Sequence, residues 1–576
     1  MTKLKVVLCW HMHQPAYRDL YTGQYQLPWT YLHAIKDYVD MIAHLEAVPA
    51  AKAVINFAPT LLEQIDDYAQ QIQVFLRDKT PIQDPLLAAL ISQPPYHPFV
   101  NNLLMLTPDE AHDERDKMLK ARLELIAQCL RANRETLIAR FQPYQHLAEI
   151  ADGLQQKPEV VLYLDDQYFV DLVMWYHLAW LGETVRRQDK RIQALIEKGH
   201  YFSQEDRQTL LVVIGELLST VIERYKVLAH QGQIELSLTP YAHPIMPLLI
   251  DVHAAQQAVP EVTLPELKHY QDGAERVRWH MIEGIEIFKK YFGYTPQGCW
   301  PSEGGISEAT IRLLEPLGVR WMASGENVLR NSLNQAGRGS ESIHRPYRLS
   351  DTQVTCFFRD DGLSDAIGFE YAKWHADDAV NNLLHHLENI NRGRPDNQAC
   401  VVSIILDGEN AWEYYPENGY YFLNALYRKL AEHPQLTLTT FSECLETEVT
   451  ELPNLVAGSW VYGNFATWIG DKDKNRGWQM LDEAKSHFDA VIERLKPKQR
   501  AAAERQLATC EGSDWCWWFG DYNPAVSVRD FDRLYRLHLT SLYRLLGEPS
   551  PEYLTHAFTH GGGEAAAGGV MRKGRG

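Results

Sequence analysis

The chain has 576 residues, 45% of them hydrophobic, and a formal net charge of −19. That apolar content can bury a large core, and the acidic balance argues against nucleic acid and anionic membranes as partners. No stretch approaches the apolar length of a membrane span, and the N-terminus MTKLKVVLCWHMHQ lacks the apolar run and cleavage site of a secretory leader, so a cytoplasmic protein is expected.

In chain order, seven short runs read as strands buried on both faces: KVVLCW, AKAVINF, IELSLT, QGCW, VRWMAS, VTCFFR and CVVSIIL. A polar or acidic residue and then a helical pattern follow most of them, the alternation of an α/β barrel or open parallel sheet. In such folds the site gathers at the C-terminal strand ends. That directs attention to His11, His13, Asn56, Glu235, Glu303, Asp360, Asp407 and Glu409. Eight cysteines without a C-x-x-C pair give no zinc-ribbon or thioredoxin signal, and read as reduced core residues.

WHMHQP puts His11 and His13 two apart at a strand end, hence on one face, where they can hold a metal or hydrogen-bond sugar hydroxyls. The next gap, from AKAVINF to IELSLT, is about 175 residues, too long for one crossover. It reads as a helical insertion over about 60–230, with helical patterns at 108–141, 165–183 and 208–232, the last ending at Gly232. Trp175, Tyr176 and Trp180 in it are expected in the core.

GQIELSLTPYAHP sets Glu235 in an otherwise apolar strand, where a carboxylate needs a partner or a task, and Tyr241 and His243 at its exit, able to contact a ligand. GCWPSEGG joins Trp300 to Glu303: an indole offers a platform for a pyranose face, and the acid can attack an anomeric carbon. CFFRDDGLSDAIGFEY carries Arg359, Asp360, Asp361 and Asp365. Arginine lowers the pKa of an adjacent carboxyl, whereas a negative Glu303 close by would raise it. SIILDGENAWEYYPENG ends its strand with Asp407, Glu409 and Trp412, acid beside aromatic as at a sugar subsite. A C-terminal helical region, 446–548, holds the Trp-rich strings GSWVYGNFATWIGDKDKN and EGSDWCWWFGDYN, and 549–576 is expected to be disordered.

Taken in order, HMHQP, GQIELSLTPYAHP, WPSEG, FRDDGLSDAIGF and LDGENAWEYYPENG resemble the five motifs of glycoside hydrolase family 57, nearest its amylopullulanase and α-amylase branch. The likeness runs from Trp10 to about Asp532 and includes both Trp-rich strings. It implies a distorted (β/α)7 barrel over 1–445, including the insertion, and a C-terminal α-helical domain, 446–548, completing the cleft. It further implies retaining cleavage of α-1,4, and in the amylopullulanase direction also α-1,6, bonds of starch- or glycogen-type glucan. Glu303 falls on the nucleophile position and Asp360 on the acid/base position, with carboxyls about 5–5.5 Å apart in a retaining enzyme. His11, His13, Glu235, His243 and Trp412 fall on cleft positions, and Trp468 and Asp471 join them from the C-terminal region. The residue-level reading adds Tyr241, Trp300, Arg359, Asp407 and Glu409 as substrate contacts. No cofactor is expected to be required and calcium is not indicated; the expected partner is an α-glucan, with oligomeric state left open.

Two departures stand out: RDDG doubles the acid where relatives carry histidine after the first aspartate, which leaves Asp361 beside Asp360, and Cys516 replaces an expected aromatic. The rival readings are a branching enzyme or 4-α-glucanotransferase of the same family, a zinc hydrolase using His11 and His13, and a non-catalytic glucan-binding module. The paired acids Glu303 and Asp360 argue against the last two.

Overall fold

The computed structural model describes residues 3–92, 108–154, 157–268, 270–394 and 399–563. Within them one sheet contains ten strands: β1 (Leu4–Met12), β2 (Ala53–Phe57), β3 (Ile234–Leu238), β4 (Gly298–Cys299), β5 (Trp321–Ser324), β6 (Tyr347–Leu349), β7 (Thr355–Phe358), β8 (Val401–Asp407), β9 (Leu436–Leu438) and β10 (Thr450–Leu452). Their order is β10-β6-β7-β5-β4-β3-β2-β1-β8, with β9 also on β1. All pairings are parallel except β6 with β7. The sheet curls until β7 meets β8: Arg359, just past β7, pairs in parallel with Ser403 of β8, and the Asp360 N–H donates to the Ser403 carbonyl at 2.8 Å. Strands β1, β2, β3, β4, β5, β7 and β8, the seven apolar runs of the sequence, thus form the expected distorted (β/α)7 barrel. The short strands β6, β9 and β10 went unforeseen, because three residues carry too little periodicity to separate from loop.

Side chains alternate along each strand, so register decides which residues enter the barrel. Val7, Cys9, Val54, Trp300, Trp321, Ala323, Phe357, Val401 and Ile405 pack together inside it. The pairings Cys9↔Val54 and Cys9↔Ile405 continue as His11↔Asn56 and His11↔Asp407, and Ala323↔Phe357 continues to Arg359 by the same parity. The inner face at the C-terminal mouth therefore carries His11, Asn56, Arg359 and Asp407.

The opposite end is plugged. The Trp321 ring lies across Gly298, where a Cβ would sit 1.8 Å from the indole Cε2, and packs on Phe441 at 4.6 Å between centroids. Its Nε1 donates to Glu235 at 2.7 Å, and Glu235 also accepts the Ser442 N–H at 2.9 Å. Glu235, expected in the cleft, belongs instead to this plug: it sits near the start of β3, opposite Val54 and one layer below the Asn56↔Ser237 pair. Burial pushes its carboxyl pKa up despite those hydrogen bonds.

Among the described residues helices occupy most of the interval between β2 and β3, from Pro59–Asp78 to Gln204–His230, and Gly232 at φ +74° follows the last of them. The periodic stretch at 108–141 is two elements. Helix Pro108–Cys129 stops, and Asn133 then caps a turn over Arg134–Ile138 by accepting the Glu135 and Thr136 N–H groups. Trp175, Tyr176 and Trp180 are buried as expected.

Three C-terminal helices, Lys472–Val491, Pro497–Cys510 and Ala525–Leu546, dock onto the barrel through Glu511. Its side chain is fully buried and accepts from Arg276, His280 and Tyr270. Burial opposes its charge, but Arg276 and His280 prevail and hold its pKa at about 2. Residues 549–563 are ordered, contrary to expectation: Gly562 and Gly563 donate to Asn523 at 3.1 Å each, and Thr559 bonds to Asp473 at 2.8 Å. Three successive glycines let this backbone lie against residues 521–523, where a Cβ on Gly563 would sit 1.8 Å from the Tyr522 carbonyl oxygen. Residues 564–576 of the expected disordered tail lie outside the described residues.

Gly298→Ala should overpack the plug and cost about 1–3 kcal/mol in a denaturant titration. Trp321→Phe in the same chain should recover part of that loss; simple additivity of the two changes would contradict the packing described.

Candidate active site

A cavity of about 760 Å³ opens at the C-terminal mouth of the barrel, within the range of sites that enclose a small ligand. Glu303 enters it from the turn after β4. The turn holds two consecutive left-handed residues, Glu303 at φ +56° and Gly304 at φ +61°. The second is glycine for a packing reason as well: a Cβ there would meet Trp300 and Trp460 at 3.1–3.2 Å. Left-handed backbone is costly for glutamate and persists only where the surroundings fix it. Here the Trp460 N–H donates to the Glu303 carbonyl at 3.0 Å, and the Ser324 hydroxyl donates to the Gly304 carbonyl at 2.6 Å. The Trp460 indole Nε1 donates to the Glu303 carboxylate at 2.9 Å. One tryptophan therefore holds both backbone and side chain of the candidate nucleophile.

Arg359 also reaches the cavity, its guanidinium 5.5 Å from the Trp460 ring centroid. It donates to Asp361 and Asp365 at 2.7 Å each and to the Ile405 carbonyl at 2.8 Å, so its fork is fixed. Burial pushes Asp361 up to about 6 even against this arginine.

Asp360 is placed differently. It does not line the cavity; it caps helix Asp361–Asp365 by accepting the Leu363 N–H at 2.8 Å, and it bonds His344 Nε2 at 2.8 Å. Burial works to raise its pKa, but His344 and the Leu363 N–H outweigh that and leave it below the ordinary carboxylate value. The expectation that Glu303 would raise the Asp360 pKa is thereby corrected: the dominant partner is His344, about which the motif is silent.

The histidines form the floor. His11 Nδ1 bonds Asn56 Oδ1 at 2.6 Å, and burial together with His13 lowers its pKa to about 3. His13 Nε2 bonds Asp514 at 2.8 Å. His243, at φ +59°, stacks on His13 with 3.7 Å between centroids and bonds the Ser513 hydroxyl at 2.8 Å. It is buried beneath His13 and outside the lining. Asp407 and Glu409 line the cavity beside them, Asp407 directly across the strand pair from His11. Burial raises Asp407 to about 6, and burial with the adjacent Asp407 charge raises Glu409 well above its ordinary value. Glu409 Oε1 accepts from the His13 N–H, Gln14 and Tyr38 at 3.2–3.3 Å.

Of the residues singled out in the sequence, Glu303, His11, His13, Arg359, Asp407 and Glu409 meet at the cavity. Several others do not reach it. Trp300 is fully buried inside the barrel, edge-on to Trp460 at 5.3 Å, and supports the site from below. Tyr241 bonds Glu63 at 3.1 Å with the Arg505 guanidinium 5.2 Å from its ring centroid. Trp412 packs on Trp10 at 5.6 Å and donates to the Gly408 carbonyl at 2.9 Å. Trp468 is buried, 5.9 Å from Trp517. Asp471 caps helix Lys472–Val491 through the Asp473 N–H. In each case a large or acidic residue near a motif has been claimed by the core or a helix end.

The walls come from residues the sequence reading passed over. Trp460, Trp517 and Trp518 belong to the Trp-rich strings, and Asp514 sits within one of them. Trp29 and Phe531 had no motif to mark them, and Trp180, expected in the core, also borders the cavity. An ion pair at 2.7 Å, Arg131 with Asp530, joins the helical insertion to the last long helix beside the cavity.

Comparison with known proteins gives the family. The family profile described as glycosyl hydrolase family 57 matches residues 7–454. No curated protein matches the chain. Among solved structures, the fold is similar to a branching enzyme from Pyrococcus horikoshii, with 15% identity and TM-score 0.55 over 94% of this chain and 90% of that one. It is also similar to an α-amylase from Thermotoga maritima, with 14% identity and TM-score 0.53 over 96% of each chain. A 4-α-glucanotransferase from Thermococcus litoralis shares 13% identity and TM-score 0.50 over 96% of this chain and 61% of that one. At these identities the likeness is one of fold, while the profile covers most of the chain, from β1 through β10: the protein belongs to glycosyl hydrolase family 57.

Proposed function

We propose that the protein is a retaining enzyme acting on the α-glucosidic bonds of starch- or glycogen-type glucan, with hydrolysis of α-1,4 bonds as its reaction. The observation that carries this reading is Glu303 itself: a carboxylate on strained left-handed backbone, held by Trp460 and facing a cavity with aromatic walls. Such walls stack on pyranose faces, and a fixed carboxylate can attack an anomeric carbon.

In the proposed double displacement, Glu303 attacks C1 while a second acid protonates the leaving oxygen. The C1–O bond breaks and a β-glucosyl ester forms on Glu303. The second group, now a base, takes a proton from water, the ester bond breaks, and the α configuration returns. Asp360 is the acid/base in this proposal, on the strength of its position directly after Arg359 at the end of β7. To serve, it must exchange His344 for the substrate oxygen, and catalytic hydrogen bonds often form only in the substrate complex. Asp407 is the rival for the role, because it lines the cavity and its pKa of about 6 keeps part of it protonated near neutrality.

Transfer to a second glucan in place of water is the alternative reaction. Trp517, Trp518 and Phe531 favour it, since apolar walls receive an acceptor sugar as readily as a donor. The fold-level neighbours include a branching enzyme and a 4-α-glucanotransferase as well as an α-amylase.

Incubation with soluble starch should release reducing ends, and Glu303→Gln should abolish that release while leaving the unfolding midpoint unchanged. A shift in iodine colour without new reducing ends would instead mark transfer, and near wild-type turnover in Glu303→Gln would remove Glu303 from the mechanism. For the second acid, Asp360→Asn should lose about 10²–10⁴-fold in rate on starch and recover with azide on an activated aryl α-glucoside, whose leaving group departs without an acid and whose ester azide attacks without a base. Azide rescue of Asp407→Asn or Asp361→Asn, with none for Asp360→Asn, would move the role to the rescued residue.

A further inference from the structure

His11 and His13 end β1, and His243 lies in the TPYAHP turn after β3. Each ring is tethered through one nitrogen: His11 Nδ1 to Asn56 Oδ1 at 2.6 Å, His13 Nε2 to Asp514 at 2.8 Å, and His243 Nδ1 to the Ser513 hydroxyl at 2.8 Å. The other nitrogens lie close together. His11 Nε2 and His243 Nε2 share a hydrogen bond at 3.2 Å, His13 Nδ1 is buried with no hydrogen-bond partner, and one ligand-capable atom from each ring lies within 4.8 Å of the others.

Tautomers follow from the tethers. Asn56 Oδ1 and the Asp514 carboxylate are acceptors, so His11 carries its proton on Nδ1 and His13 on Nε2. The lone pairs of these rings are thereby left on His11 Nε2, which accepts the hydrogen bond donated by His243 Nε2, and on His13 Nδ1. Imidazoles oriented by an amide, a carboxylate and a hydroxyl on their far sides have the arrangement that supports metal-ligating histidines. The 3.2 Å separation of His11 and His243 matches the edge of a tetrahedron whose centre is about 2.0–2.1 Å from each nitrogen.

We propose that His11, His13 and His243 form a binding site for one borderline-soft divalent cation such as zinc, with its fourth position open to the cavity. Three neutral nitrogens favour zinc or cobalt over calcium or magnesium, which take oxygen ligands. For the ion to enter, the proton held between His11 and His243 must leave. The three rings lie within 16° of parallel in every pair, with His13 stacked on His243 at 3.7 Å between centroids, so the His13 ring must turn to present Nδ1 to the ion. As the one partly exposed member of the three, it has the room to do so.

The test is a cobalt titration of the full chain after stripping with a chelator. One equivalent of Co²⁺ should bind with the strong visible absorption of a low-coordinate imidazole site, and Zn²⁺ should displace it. His13→Gln should weaken binding at least tenfold and bleach the absorption. His243→Asn should do the same while keeping the fold, because asparagine tolerates left-handed backbone. Ser513→Ala, which removes only the tether on His243, should weaken binding by about 10–100-fold. Absence of the absorption at saturating Co²⁺, or an unchanged spectrum in folded His13→Gln, would overturn the proposal.

Discussion

A closed barrel of parallel strands admits side chains only at alternate positions, and every inner residue of this site inherits its place from that alternation. The seam is the critical contact. Arg359 completes the inner parity of β7, pairs with Ser403 to join β7 to β8, and turns its guanidinium toward Trp460. A cation inside a barrel needs compensation, and Asp361, Asp365 and the Ile405 carbonyl supply it. The same residue thus closes the sheet and fixes the acidic segment that follows, including the backbone of Asp360.

Around that seam the barrel separates two kinds of carboxylate. Those tied to cations or N–H groups, Asp360 and Glu511, are held below their ordinary pKa. Asp361, Asp407 and Glu409, where burial outweighs the partners, Arg359 on Asp361 included, are pushed above it. Groups displaced in opposite directions are the raw material of acid and base roles, and of these five Asp407 and Glu409 line the cavity. Glu303 stands apart, because its placement rests on a strained turn and on a tryptophan contributed from well over a hundred residues along the chain.

Much of this was legible in the sequence, for stated reasons. The seven barrel strands showed because buried parallel strands are apolar on both faces, and their polar ends pointed to His11, His13, Glu303, Arg359, Asp407 and Glu409. What failed was depth and partnership. Glu235 and His11 both belong to apolar strand runs with polar interruptions, yet Glu235 enters at the plug and His11 at the mouth, a distinction set by register. Trp300 and Trp460 are both indoles near a motif, and only their layer in the fold tells support from lining. His344 lies outside every motif, so nothing in the string RDDG could reveal the bond that governs Asp360. The helical insertion and the C-terminal helices were visible as helices; that residues 127–133 and 526–531 would meet at the border of one cavity was not.

Everything proposed for the reaction turns on Glu303 forming the covalent intermediate. The most direct measurement is mass spectrometry of the enzyme after reaction with a fluorinated α-glucosyl fluoride that forms the glycosyl ester quickly and releases it slowly. A single added glucosyl group is expected on the peptide containing WPSEGG, localised to Glu303. An ester on Asp360, Asp361 or Asp407, or turnover of the reagent with inverted configuration and no adduct, would contradict it.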